Sequence, residues 1–255
     1  MPNHTTWLTF ILGAMKDNLA ANAEAIGNSL MNGHPPSWMS FEPIIAAIFV
    51  AAVVLILAFL ARSRLVKLDE AVIPDDKLSL RTFMEVFLGY FYDLAKSMMG
   101  PERAKKYFPI IGTSAIFVFF ANVMALIPGM PVATSNLNIT LGCAIVVFVL
   151  FNFYGIKTNG WGYIKHLAGP AWYLAPLVFV IEIISLCVRP ITLAVRLMLN
   201  MSVDHLILSI FVSLVALVVP VPLMVLGCLI VLIQTLVFTL LTTIYISLAT
   251  EHEHH

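Results

Sequence analysis

Apolar positions along this chain gather into long uninterrupted runs rather than into alternating or every-third patterns. The first run, 43–61, carries no charge between Glu42 and Arg62 and is followed at once by Arg62, Arg64 and Lys67. A run of that length fits a membrane crossing, which needs about 20 mostly apolar residues, and the basic flank reads as a stop. From 76 to 99 the pattern changes. Arg81, Glu85, Asp93 and Lys96 share one helical face, and Phe83, Phe87, Tyr90, Leu94 and Met98 share the other. This predicts an amphipathic helix that lies on the membrane surface or packs on a partner without crossing.

Apolar runs resume at 108–128 and 139–155, joined by an uncharged connection at 129–138. A loop rich in glycine and aromatic residues follows at 154–170 and holds Lys157, Lys165 and His166. Residues 171–219 are apolar for about twice the length that one perpendicular crossing requires, so this segment must tilt, bend or re-enter. Pro220-Val221-Pro222 breaks it, and a last apolar helix is predicted over 223–249, ahead of a polar tail at 250–255. The fold class is therefore an all-α membrane protein. It has about five to six membrane helices, including a long tilted C-terminal hairpin at about 171–249, plus one amphipathic surface helix. Residues 1–42 read as an extramembrane N-terminal segment and 43–255 as a single membrane domain, with no internal repeat.

Composition agrees: of 255 residues, 60% are hydrophobic and 11% charged, against about a quarter charged in soluble domains. The 14 basic and 14 acidic residues cancel, which removes any general attraction to nucleic acid. Eleven of the 14 basic residues lie between Arg62 and Lys165, in segments that share one side if the spans alternate. By the positive-inside rule the N-terminus is then outside and the C-terminus cytoplasmic. No signal-peptide pattern opens the chain, and the first span is expected to direct insertion. Cys143, Cys187 and Cys228 all fall in apolar runs without metal or redox spacing and read as packing residues.

Chemistry concentrates in the run RPITLAVRLMLNMSVDH, from Arg189 to His205. Glu182, Arg189 and Arg196 recur every seven residues, with Ser185, Thr192 or Leu193, Asn200, and Val203 or Asp204 filling the intervening turns, so a helix presents them as one polar stripe. A charge at the bilayer centre costs about 2.5–3.5 kcal/mol even on mild insertion scales. Several on one face imply a wet path or a charged partner. Arg189, beside Pro190, can also be read as a structural residue at a kink, Glu182 as its ion-pair partner, and Asn200 as satisfying a helix neighbour. Arg196 sits too deep in apolar sequence for its head to reach water easily. On the last helix Gln234 lines up with Thr235, Thr239 and Thr242. The threonines can bond their own backbone, whereas the Gln234 amide needs partners in hydrocarbon. The terminal Glu251-His252-Glu253-His254-His255 reads as a solvated tail rather than a metal site.

With these residues in view, the chain resembles subunit a of F-type ATP synthases, the membrane stator beside the rotating c-ring. The resemblance rests on RLMLN at Arg196 to Asn200 preceded by Arg189-Pro190, and on QTLVFTLLTTIYISLATE from Gln234. The segment Asn122 to Pro128, the span start Asn138-Ile139-Thr140-Leu141, and Glu182 fourteen residues before Arg196 also match. It implies that Arg196 faces the essential carboxylate of each passing c subunit and separates two aqueous half-channels. Asn200 and Gln234 then help to position that arginine, and Glu182 and His205 belong to the half-channels.

The position of Gly227 often carries an ionisable residue that works with the one at His205, and Asp204 is a candidate for the missing carboxylate. Ala125 stands where some relatives have Asp, so no channel role is assigned there. The implied partners are the c-ring, b-type peripheral stalk subunits and the bilayer. The transported ion is expected to be H⁺ rather than Na⁺, in a bacterial inner membrane, with no cofactor and no nucleotide motif of the GxxxxGK[ST] kind. A self-contained secondary transporter with a buried Arg as substrate site is the competing reading, but it predicts an internal repeat and paired broken helices. An intramembrane enzyme would need a nucleophile-base or metal motif that the chain lacks.

Overall fold

The computed structural model describes residues 42–65, 80–127, 130, 132–160, 175–214 and 220–250. The segment 1–41, the basic side chains that follow the first span, most of the 154–170 loop and the tail from Glu251 lie outside the described residues. Among the described residues every regular element is helical: α1 (Glu42–Leu65), α2 (Leu80–Met99), α3 (Pro101–Ala125), a 3₁₀ turn (Ala133–Ser135), α4 (Leu137–Asn159), α5 (Ala175–Leu214) and α6 (Pro220–Thr250). Five of these, α1 and α3 to α6, are long and apolar enough to cross a membrane, in line with the sequence-based expectation. The amphipathic α2 is the exception.

Local chemistry explains the boundaries. Gly100 separates α2 from α3 with φ 80°, a conformation that costs glycine nothing. Pro101 then opens α3 at the one place in a helix where its missing N–H is harmless. This start is seven residues earlier than the apolar run suggests, because Arg103, Lys105 and Lys106 occupy the first turns of α3 instead of a loop. Asn136 caps α4, its side chain accepting from the Asn138 N–H at 3.0 Å, and Gly160 closes that helix with φ 53°.

Within the segment expected to tilt, bend or re-enter, Ala175–Leu214 is one continuous helix. α5 has 40 residues with Pro190 inside it, a length of about 60 Å at 1.5 Å per residue. A core about 30 Å thick cannot contain that length upright. Proline removes one backbone bond without ending a membrane helix, because neighbouring helices support the freed carbonyl.

Packing runs along small residues. Ala95, Ala104, Ala144 and Ala194 are fully or almost fully buried among Tyr107, Ile111, Phe151, Leu193 and Ile246. Without a hydrophobic drive between helices in lipid, close backbone approach of this kind is what holds a bundle together. α6 packs on α3 and α4, and α5 packs mainly on α4. One end of the bundle is tied by Tyr107 to Thr158 at 3.1 Å and by Asn159 donating to the Ala249 carbonyl at 3.3 Å.

α2 departs from its expected faces. Met84, Phe91, Ala95 and Met99 are buried, together with Arg81, which donates to Glu85 at 2.8 Å, while Phe83, Tyr90 and Met98 of the predicted apolar face are exposed. The helix has apolar side chains over more than half its girth, so one part packs on α3 and another is left for lipid or a partner.

Candidate functional site

α5 has two faces of different character. Leu186, Leu193, Ala194, Leu197 and Met201 are buried against the bundle. Val188, Ile191, Thr192, Arg196, Leu199 and Val203 are exposed on the other side. Arg196 thus lies near the middle of a 40-residue helix and points away from its own chain. No carboxylate among the described residues pairs with it. A guanidinium placed so, flanked by Leu199 and Val203, would face hydrocarbon at a cost of about 2.5–3.5 kcal/mol or more. The arrangement fits a partner that brings a negative charge to this face.

Arg189 is placed differently, although the same spacing of seven separates it from Glu182 and from Arg196. Its guanidinium lies 3.6 Å from the Glu182 carboxylate and 5.3 Å from the centre of the Tyr245 ring on α6. It is held by one anion and one aromatic face, which joins α5 to α6. Ser185 is half-buried between Glu182 and Arg189 on the same stripe. Two readings left open by spacing alone are thereby separated: among the described residues Arg189 has a counter-ion and Arg196 does not.

Asn200 is half-buried one turn beyond Arg196, and Gln234 is buried on α6. In the single chain no hydrogen bond joins Arg196, Asn200 and Gln234 to one another. The threonines beside Gln234 bond their own helix, Thr235 to the Val231 carbonyl at 2.9 Å, Thr239 to Thr235 at 2.7 Å and Thr242 to Phe238 at 2.9 Å. They serve the backbone and leave no donor for a neighbour.

Asp204 and His205 gather elsewhere, in a small hollow where α5 meets α6 and the end of α3. The register of α5 there is tied by Ser202 donating to the Ser135 carbonyl at 3.3 Å, across to the 3₁₀ turn. Two polar groups near this end were not singled out from sequence. Asn122, in α3, and Thr134, in the turn, are buried with side-chain polar atoms that find no hydrogen-bond partner among the described residues. The signal for Asn122 is the one that marks Gln234, an amide inside an apolar span. Thr134 sits in an uncharged connection where nothing distinguishes it.

A family model described as ATP synthase A chain matches residues 44–247. This chain belongs to that family. A curated relative from Sorangium cellulosum, an ATP synthase subunit a, is 56% identical over 255 residues and covers 100% of both chains. The Bdellovibrio bacteriovorus subunit a is 43% identical over 195 residues, covering 76% of this chain and 85% of its own. That from Geobacter sulfurreducens is 45% identical over 175 residues, 69% of this chain and 76% of its own.

Membership of the ATP synthase A chain family bears out the resemblance read from the arginine and glutamine motifs. The chain is a multi-pass membrane subunit of the proton-translocating sector and one component of a complex with other F0 subunits. Nothing supports the secondary-transporter alternative.

Proposed function

We propose that this chain acts as the stator side of the proton path. Two aqueous half-channels deliver protons to the c-ring carboxylate and remove them, with Arg196 as the electrostatic gate between them. The observation that carries this reading is the placement of Arg196, mid-helix, outward-facing and without a counter-ion among the described residues. A guanidinium stays protonated at any physiological pH, so it attracts an ionised ring carboxylate without relaying the proton itself. Each proton driven through contributes about 2.3 kcal/mol per 100 mV of membrane potential, which rotation carries to ATP chemistry on other subunits. The chain itself is non-catalytic.

In this scheme Asn200 and Gln234 orient the gate and the ring carboxylate. Asp204 and His205 belong to one half-channel. Glu182 and Ser185 line the other, and Arg189 fixes that end of α5 against α6. The ring meets the exposed side of α5, and b-type stalk subunits hold the remainder of the 43–255 membrane domain. H⁺ is the ion, and the site is a bacterial inner membrane with the N-terminus and the 1–42 segment outside and the C-terminus cytoplasmic.

The test is proximity. Leu199 and Val203 are about half exposed, whereas Ala194 and Leu197 are buried. In a complex whose Cys143, Cys187 and Cys228 have been replaced by serine, Leu199→Cys and Val203→Cys should form disulfides with cysteines on the outer ring helix. Ala194→Cys and Leu197→Cys should not. The opposite pattern would put the ring on another face and end this reading.

A further inference from the structure

Beside the hollow next to α5 stands a glycine whose presence calls for an explanation. Asp204 and His205 line it from α5, Leu223 and Met224 from α6, and Ala125 with Leu126 from the end of α3. Gly227 lies one helical turn along α6 from Leu223, buried and within the helix. Its φ is not positive, so the backbone there does not call for glycine. Mid-helix, glycine is less favourable than alanine by about 1 kcal/mol. Space supplies the reason instead. A Cβ on residue 227 would lie 2.9 Å from Asp204 Oδ2 and 2.9 Å from Leu126 Cδ2, well inside the contact distance of about 3.5–4.0 Å that suits carbon atoms. The carboxylate of α5 occupies the volume that any other residue of α6 would fill.

We propose that Gly227 is the seat of the Asp204 carboxylate, a positioning residue whose missing side chain lets an acid from α5 rest against the backbone of α6, next to His205. The proposal rests on the proton-path reading above and specifies how one ionisable group on that path is placed. Its consequence is a reciprocal constraint. A side chain at 227 displaces the acid at 204, and the acid can equally be carried by 227 if 204 is made small.

The experiment is ATP-driven proton pumping by the whole complex in inverted membrane vesicles, normalised to assembled complex and measured across a pH series. Gly227→Ala and Asp204→Gly should each lower pumping about fivefold or more, as expected for groups that act together. Asp204→Gly should also flatten the pH profile. The double variant Asp204→Gly/Gly227→Asp, which moves the acid to the facing helix, should recover most of the rate and restore the profile. A double variant no better than the worse single, or native pumping by Gly227→Ala, would overturn the proposal.

Crowding against Leu126 is separated by Gly227→Ala/Leu126→Ala. If that pair pumps normally, the fault lay in packing and the seat is refuted. If it stays impaired, the displaced carboxylate is responsible. Arg196→Ala, run in parallel, distinguishes the two levels. Pumping by that variant would remove the proton-path reading itself, whereas its loss together with a failed exchange of the acid would remove only the seat.

Discussion

Arg189→Leu should loosen α5 from α6 by an amount that two contacts set. The substitution removes the Glu182 partner at 3.6 Å and the Tyr245 ring at 5.3 Å. Both acidic and basic side chains are partly exposed, 39% and 23%, so the ion pair is discounted to about 1 kcal/mol or less. The ring contact adds about 0.5–1 kcal/mol, rising to about 2 where it is desolvated. Together they give about 1–2 kcal/mol for holding α5 on α6.

The measurement is heat-induced release of the chain from the detergent-solubilised complex, followed on native gels for Arg189→Leu, Tyr245→Leu and the pair. Each single variant should lower the release midpoint, and the pair should cost little more than the worse single, because both remove the same clamp. Pumping per assembled complex should fall by less than about thirtyfold for a loss of up to about 2 kcal/mol, since 1.4 kcal/mol corresponds to a factor of ten. Strictly additive losses would refute the clamp. Complete loss of pumping by an assembled Arg189→Leu complex would refute the division of labour between the two arginines.

Other substitutions probe the scaffold. Gly100→Ala places a side chain at φ 80° and should destabilise the α2–α3 junction by about 1 kcal/mol or more, seen as reduced chain content in purified complex; unchanged content would contradict the strain. Asn122→Leu replaces a buried amide that has no partner among the described residues. It should raise the heat-release midpoint, because leaving such a group unpaired costs about 1–3 kcal/mol, and a lowered midpoint would show that the amide is satisfied in the complex.

The membrane spans were legible because an apolar run of crossing length has few other uses, and the arginine stripe because charges in such runs are costly. The start of α3 was not, since basic residues in its first turns look like a loop until Gly100 and Pro101 are seen to set the boundary. Spacing predicted that Glu182, Arg189 and Arg196 share a face but could not say which arginine keeps the carboxylate. That depends on Tyr245, 56 positions along the chain from Arg189, arriving from α6. Likewise Asp204 was nominated by resemblance, whereas its contact with Gly227 needs two helices side by side. The faces of α2 were misjudged because apolar residues occur on more than one side, and amphipathic patterning does not tell a bundle-facing side from an outward one.

Whether Arg196 gates the proton path is decided by Arg196→Ala in the intact complex in inverted vesicles, with ATP-driven pumping and passive proton leak read at matched assembly. A gating arginine requires loss of coupled pumping while the complex remains assembled, with a raised passive leak where the barrier between half-channels is gone. Undiminished coupled pumping would contradict it and leave Arg196 a structural residue.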